Sequence, residues 1–314
     1  MILRLIGKRL LLGVLTLLAA ALISFLLVHA MKGSPGLIVK GIGATRHDIW
    51  LYDEGIGWHK PLWEQFLIWL GNLLHGDLGV STSTQAPIMS VLPDRVALTA
   101  TLAIGASLLT TIIGVLVGVT AAIRGGWIDR ILNTGANTFF AVPGYWLAIL
   151  LILIFAVLNP ILPATGYVPP TDDLAGWAQS LVLPIVAIAI PAGAGLSRST
   201  RAAMFDAFSQ EYIRTLRSMG TPKWRLIYVH SLRYASVQIV AMIGMQFVIL
   251  FGGTVMIEQL FVLPGLGDAA QGAIANHDVA MIQAVVLTTT LVVVITNFMT
   301  ELVIMYLNPK VRTK

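Results

Sequence analysis

Six histidines, His29, His47, His59, His75, His230 and His277, are the side chains here best suited to proton transfer or metal binding near neutral pH. None stands at metal-ligand spacing from another, and no His-Glu-x-x-His stretch occurs. Cysteine is absent, which excludes thiolate metal sites, cysteine nucleophiles and a disulfide framework. No segment fits G-x-x-x-x-G-K-[ST]; Gly7-Lys8 is the single Gly-Lys pair, and no glycine precedes it at the required distance. Nucleotide hydrolysis on a loop of that kind is therefore excluded. What remains is a set of isolated polar side chains in apolar surroundings: His29, Asn133, Asn137, Gln246, Glu258, Asn297 and Glu301. Such residues are functional candidates when their surroundings lie in a membrane. The elements that carry them decide their meaning.

The 314 residues are 57% apolar and only 11% charged, with mean hydropathy +0.84. A soluble domain carries about 25% charged residues, so a soluble enzyme of ordinary type and a disordered chain are both excluded. Runs free of Asp, Glu, Lys and Arg occupy 10–31, 96–123, 131–171, 174–197, 234–257 and 279–300. Crossing a bilayer takes about 20 residues of helix. The third run is too long for one span; its most apolar part is 139–158, and Asn159-Pro160, Pro163 and Gly166 then read as a turn. Six spans result. All are expected to be helices, because lipid offers no partner to backbone polar groups. Pro143, Pro184 and Pro191 are expected to bend spans three and four. The first run has the basic start of a signal peptide (Arg4, Lys8, Arg9) and the small-residue end Val28-His29-Ala30. It exceeds an h-region of roughly 7–15 residues, so it is expected to remain as a span.

Orientation follows from Lys and Arg. With the N-terminus inside, segments 1–9, 124–130, 198–233 and 308–314 are cytoplasmic. They hold Arg4, Lys8, Arg9, Arg124, Arg130, Arg198, Arg201, Arg214, Arg217, Lys223, Arg225, Arg233, Lys310, Arg312 and Lys314, which is 15 of the 20 basic residues. Lys32, Lys40, Arg46, Lys60 and Arg95 fall outside. Asp129, Asp206 and Glu211 are the acidic residues inside, Glu301 ends span six, and the other eleven of 15 lie outside. The net charge of +5 is thus a topology signal, and nucleic acid is excluded as a partner. The chain divides into 1–95, a first span with an extracytoplasmic region, and 96–314, a five-helix core with the cytosolic loop 198–233.

Two intervening segments are large enough to carry function. In the outer one, 61–74 has helical period, with Trp63, Phe66, Leu67, Leu70, Leu73 and Leu74 near one stripe and Pro61 at the first helical position. With Trp58 and Trp69 it reads as an interfacial helix that anchors and packs, with substrate contact as the other reading. It leads into His75-Gly76-Asp77-Leu78-Gly79-Val80-Ser81. The inner segment reads as a helix over 199–219, a break at Gly220, and a second helix with Thr221 as N-cap and Pro222 as its first residue. This basic amphipathic pair suits anionic lipid, a groove on a cytosolic partner, or a cap on the bundle. Gly114-Val115-Leu116-Val117-Gly118 in span two reads as a helix-packing motif.

The segment Gln210-Glu211-Tyr212-Ile213-Arg214-Thr215-Leu216-Arg217-Ser218-Met219-Gly220 resembles the cytosolic loop of permease subunits of ABC importers in the dipeptide, oligopeptide and nickel group. Further matches are Arg9-Leu10-Leu11, the 75–81 stretch, Leu162-Pro163-Ala164-Thr165-Gly166-Tyr167, Arg198-Ser199-Thr200-Arg201 with Met204, Glu258-Gln259-Leu260-Phe261-Val262-Leu263-Pro264-Gly265-Leu266-Gly267, and Asn308-Pro309-Lys310-Val311-Arg312. They run in order over nearly the whole chain. Arg214 replaces the Glu of the general motif, Leu216 its second Ala, and Arg233 its final Pro.

The resemblance implies an all-α membrane protein with six transmembrane helices, a type I importer permease architecture and both termini cytoplasmic, placed in the bacterial inner membrane. It implies a non-catalytic subunit that forms the path for di- or oligopeptides, with nickel or a metal chelate as the alternative cargo. The implied partners are a second, homologous permease in a heterodimer, two cytosolic ATPases that bind ATP and magnesium, and an extracytoplasmic binding protein, with lipid around the spans. This chain itself would hold no cofactor. ATPase coupling would fall to Arg214, Thr215, Arg217, Ser218, Met219, Gly220, Thr221, Pro222 and Trp224. Gln246, Glu258 and Asn297 are the candidates for the path or gate, and Gly76, Asp77, Gly79, Pro264, Gly265 and Gly267 carry the outer-loop motifs. Two other classes remain open: a secondary carrier, against which the charge-free interiors speak, and a polytopic membrane enzyme, which lacks paired catalytic groups.

Overall fold

The computed structural model describes residues 2–30, 34–41 and 43–307. Lys32 and the terminal motif from Asn308 to Arg312, with Lys314, lie outside the described residues. The described residues are helical throughout, apart from turns and one isolated antiparallel bridge between Val80 and Pro87. The helices are α1 (Ile2–Ala30), α2 (Pro35–Lys40), α3 (Arg46–Gly55), α4 (Leu62–Leu74), α5 (Ile88–Arg124), α6 (Gly126–Ala141), α7 (Gly144–Ile152), α8 (Leu174–Ser209), α9 (Glu211–Ser218), α10 (Leu232–Gly253), α11 (Val255–Leu260), α12 (Leu266–Ala275) and α13 (Val279–Leu307). π-helical turns extend α7 over Leu153–Leu158 and precede α10 over Arg225–Ser231. Five helices are long and apolar enough to cross a membrane: Ile6–Ala30, Ile88–Arg124, Leu174–Ser209, Arg225–Gly253 and Val279–Leu307.

The third expected span differs from its reading. The 139–158 segment is not one helix: α6 ends at Ala141, Val142 and Pro143 are extended, and Gly126–Ala141 meets Gly144–Leu158 at 92°. Pro143 has no N–H to continue α6, and the residue before a proline is pushed out of the α region. Pro184 and Pro191, by contrast, do not interrupt α8. Span five ends at Gly253 rather than Ile257, with α11 following after Thr254.

The chain forms two compact units. Of the described residues, one comprises 2–5, 99–263 and 295–307. Here α8 is central and is flanked by α6, α7 and α10. Its buried face is built from small residues, among them Ala187, Ala189, Ala194, Ser197, Thr200, Ala203 and Ala207. Small faces let backbones approach, which is how apolar helices associate where burial from water gives no drive. The Gly114 and Gly118 motif of α5 meets this face: a Cβ on Gly114 would lie 2.6 Å from Leu196, and one on Gly118 would lie 2.5 Å from the Ser197 carbonyl. Val119, Ala122, Ala203, Met204, Ala207, Ala235 and Ile239 close the core beside it.

The other unit comprises 6–98 and 264–294. Ala21, Phe25 and Val28 form the buried face of α1. Phe25 meets Phe66 edge-on at 5.3 Å and Trp69 at 5.9 Å, which seats α4. The stripe on α4 therefore splits: Phe66 and Trp69 turn inward, while Trp63, Leu67 and Leu74 are exposed. Pro61 is the N-cap, not the first helical residue, and its carbonyl accepts from Glu64 and Gln65. Asp53 in α3 accepts the Gly36 N–H at 2.7 Å and ties α2 to α3.

Candidate functional site

Residues 210–226 form an exposed turn built by two helix ends. The apolar period over 204–216 reads as one helix, yet α8 stops at Ser209 and Gln210 is extended at φ −64°, ψ 137°. The break lets Ile213 bury while its neighbours Tyr212, Arg214 and Thr215 stay exposed. The helix expected over 199–219 is therefore two helices. At the other end of α9 the Thr221 N–H donates to the Leu216 carbonyl (3.1 Å) and the Gly220 N–H to the Arg217 carbonyl (3.1 Å). Gly220 has φ +81°. This is a Schellman cap, whose left-handed position favours glycine. The next helix starts one residue later than the sequence suggests. The Pro222 carbonyl accepts from Arg225 (3.0 Å) and Leu226 (3.1 Å), so Pro222, not Thr221, is the capping position.

Arg214, Thr215, Arg217, Ser218, Met219, Gly220, Pro222 and Trp224 are all exposed on this turn, and Thr221 is half-buried. Met219 is 76% exposed and Trp224 57%. The Thr215 and Ser218 hydroxyls donate to the carbonyls of Glu211 and Arg214, so neither is held by a distant residue. Buried Ile213 and Leu226 root the turn. The Tyr212 hydroxyl reaches the His230 carbonyl at 3.4 Å across its base. The result is an apolar tip ringed by cations on a short, rooted lever.

The polar residues of the spans do not form one constellation. Gln246 is half-buried on α10 and Asn297 is exposed on α13. Glu258 on α11 is fully buried; its Oε1 accepts from Thr99 (2.7 Å) and Thr254 (2.9 Å). His29 is half-buried at the end of α1. Its Nδ1 faces the Phe25 carbonyl at 2.8 Å and its Nε2 the Gln65 Oε1 at 2.9 Å. Among the described residues no three His, Asp or Glu side chains converge to hold a metal ion.

The outer-loop motifs are structural turns. Gly76 and Gly79 have φ +82° and +81°, and Asp77 accepts the Gly79 N–H at 2.8 Å. The chain then delivers Ser81 and Ser83 to Asp278, which accepts from both hydroxyls and from the Met281 N–H, capping α13. Burial raises the Asp278 carboxyl, but donors from Ser81, Met281, Ser83 and Thr82 together hold it below the ordinary carboxylate value. Gly265, buried, caps α12, and its carbonyl accepts from Arg95 (3.2 Å), which also pairs with Asp268 at 2.9 Å. Gly267 is buried in the first turn of α12, while Pro264 is exposed.

Asp278 is legible in the sequence as an N-cap type directly before a charge-free run. The Asp129–Arg201 pair, bidentate at 2.6 Å, escapes a reading by motif and spacing. Its one signal is Asp129 itself, among three acidic residues in the basic segments. Arg198 likewise lies over the Phe140 ring at 4.4 Å and donates to Asn137.

Comparison with known proteins sets this arrangement in a family. Residues 114–313 match the family described as binding-protein-dependent transport system inner membrane component. A putative peptide transport system permease protein of Brucella abortus is 34% identical over 309 residues, covering 98% of each chain. The glutathione transport system permease protein of Escherichia coli is 32% identical, again over 98% of each. The dipeptide transport system permease protein of Escherichia coli is 30% identical over 99% of each. In structure, the chain resembles an inward-facing MetNI methionine ABC transporter, with TM-score 0.57 and 16% identity over 70% of this chain and 98% of that one. That likeness bears out the importer-permease fold. Helices of spanning length and a family-wide match together make this chain a multi-pass member of the binding-protein-dependent inner membrane transport components, an ABC transporter permease of the bacterial inner membrane.

Proposed function

We propose that the chain is one of two permease subunits of an ATP-driven importer of di- or oligopeptides. The observation that carries the cargo is that relatives matching nearly the whole chain are named for peptide, dipeptide and glutathione transport. No relative among these is named for nickel, so the metal-chelate alternative is not favoured. The partners are a second permease, two ATPases supplying bound ATP and magnesium, and an extracytoplasmic binding protein. The chain hydrolyses nothing itself. Its termini and the 210–226 turn face the cytoplasm.

The turn couples the spans to an ATPase. Met219 and Trp224 insert as the apolar tip, Arg214 and Arg217 pair with acidic groups on the partner, and Gly220, Thr221 and Pro222 set the angle between the two helices. Thr215 and Ser218 line the contact. Closure of the ATPases then moves the turn and converts the spans between inward and outward access. Gln246 and Asn297 are path candidates. Glu258 would join them only on release from Thr99 and Thr254.

Reconstitution of the complete complex tests the cargo. Binding protein loaded with di- or oligopeptides is expected to stimulate ATP hydrolysis; stimulation only by a nickel complex would sink the peptide reading. Gly220→Trp tests the coupling. Gly220 is exposed and a Cβ there meets nothing within 4 Å, so the local cost expected from the first side-chain atom is the left-handed backbone strain, about 1 kcal/mol. Uptake is expected to fall far more than the amount of folded complex, with ATP hydrolysis persisting. Normal uptake by this variant would refute docking at the turn.

A further inference from the structure

We infer that the unit formed by 6–98 and 264–294 carries a binding site for a small uncharged ligand with a flat apolar body and an amide head. The site is a cavity of about 210 Å³, walled by Phe25 and Val28 on α1, Trp58 in the turn before α4, Trp69 on α4, and Val279 and Gln283 on α13. Asp278 caps α13 through the Met281 N–H, which fixes where that helix begins. Val279 and Gln283 stand four residues apart, so they share a helix face, and that face meets the cavity. Gln283 is 7% exposed, and among the described residues nothing hydrogen-bonds its carboxamide. A buried amide gives up its bonds to water, so an unpaired one calls for a partner. The other inward polar groups of the wall are already engaged. Gln65 Nε2 donates to the carbonyls of Trp58 and Lys60, both at 2.7 Å, and its oxygen faces His29 Nε2 at 2.9 Å. His29 Nδ1 faces the Phe25 carbonyl at 2.8 Å. Asn72 also lines the cavity but is exposed, so water serves it. Gln283 is thus the buried carboxamide left to meet a ligand.

Volume, charge and hydrogen-bonding pattern define the ligand. A cavity of about 150 Å³ holds benzene, and drug-sized ligands take about 300–1,000 Å³. The volume here therefore suits one ring with a short head. The walls suit a flat body, because two indoles are in place before a ligand arrives. The Trp58 ring stacks on His29 (4.4 Å between centroids, 14° between planes), and Trp69 lies 5.9 Å from Phe25. Among the described residues no Asp, Glu, Lys or Arg lines the cavity. A charged ligand would leave water without meeting a counter-charge, which disfavours it. A free peptide carries two charged termini, so the cavity is not a subsite for the cargo. The Gln283 carboxamide presents a donor and an acceptor side by side. A second amide returns both bonds as one pair, which a hydrocarbon cannot do.

The probe is para-fluorophenylacetamide, one ring with an amide head. Its binding is followed by fluorine NMR with the full chain in nanodiscs, and empty nanodiscs give its partition into lipid. The expected result is saturable binding to the chain, with Kd on the order of 1 mM for a ligand of this size. The same ring with an acetate head has nearly the same shape and a negative charge. It is expected to bind at least about tenfold more weakly, because its carboxylate meets no counter-charge. Gln283→Leu keeps the apolar bulk and removes the paired contact, and is expected to weaken binding of the amide by about tenfold or more. No saturable binding beyond that of empty nanodiscs would overturn the inference. So would a carboxylate bound as tightly as the amide, or full affinity for the amide in Gln283→Leu. If Gln283→Leu fails to fold, the comparison of amide with carboxylate on the wild-type chain decides alone. The measurement uses no cargo and no ATPase, so its failure leaves the transport reading standing.

Discussion

At the scale of single residues, Asp278 does two jobs with one carboxylate. It caps α13 through the Met281 N–H and receives the Ser81 and Ser83 hydroxyls from residues almost two hundred positions earlier. It is 1% exposed, so losing it strands buried donors. Asp278→Ala is expected to destabilise by about 1–3 kcal/mol, read as a lower midpoint of thermal unfolding in detergent. The carboxyl lies below its ordinary 3.8 in the folded chain. Its contribution is therefore complete above about pH 4 and is lost as pH falls through the lowered native value. Asp278→Asn keeps a capping oxygen but no charge, so its stability is expected to change less between about pH 5 and about pH 3, values near the ordinary carboxyl range. An acid limb as steep as that of the wild type would show that the charge is not what the two serines hold.

At the scale of elements, the close approach of α5 and α8 rests on two glycines. At Gly118 the nearest obstacle is the Ser197 carbonyl, backbone inside a helix that cannot yield cheaply. Gly118→Leu is expected to cost about 1–3 kcal/mol or more through overpacking. Gly135→Ala on α6, where a Cβ meets nothing within 4 Å, is expected to be neutral or to stabilise by up to about 1 kcal/mol. Equal midpoints for the two variants would remove the packing role. Elements of this kind are largely legible in the sequence. Absence of charge marks α1, α5, α8, α10 and α13, because lipid excludes charge whatever the tertiary contacts. The GxxxG spacing likewise names its own function. The breaks are legible only where a residue forbids the helix, as Pro143 does. At Gln210 nothing in the sequence forbids it: the apolar period runs on, and only burial of Ile213 explains the turn. The partners of Asp278 are hidden for the same reason, since the contact joins distant segments that no periodicity relates.

At the scale of the whole molecule, the bent pair formed by α6 and α7 decides the topology. Five helices cross by length alone, and the pair makes a sixth crossing only if it traverses despite its 92° bend. Parity turns this into a question about charge. With the N-terminus inside and six crossings, the 198–233 segment is cytoplasmic. With five, it faces out and carries Arg198, Arg201, Arg214, Arg217, Lys223, Arg225 and Arg233 with it. Seven basic residues in one short outer loop would violate the inside bias of Lys and Arg. Ion pairing inside the fold does not remove the conflict. Arg201 is neutralised by Asp129 and Arg198 rests on Phe140, but Arg214 and Arg217 are exposed on the turn. Six crossings are therefore expected. The cysteine-free sequence makes the test direct, because one introduced thiol is the whole signal. Thr171→Cys and Ser218→Cys each replace an exposed residue, on either side of α8. A membrane-impermeant maleimide applied to spheroplasts is expected to label Thr171→Cys at once and Ser218→Cys only after permeabilisation. The opposite pattern would mean that the bent pair returns to the side it left, and would place the 210–226 turn beyond reach of any cytosolic ATPase.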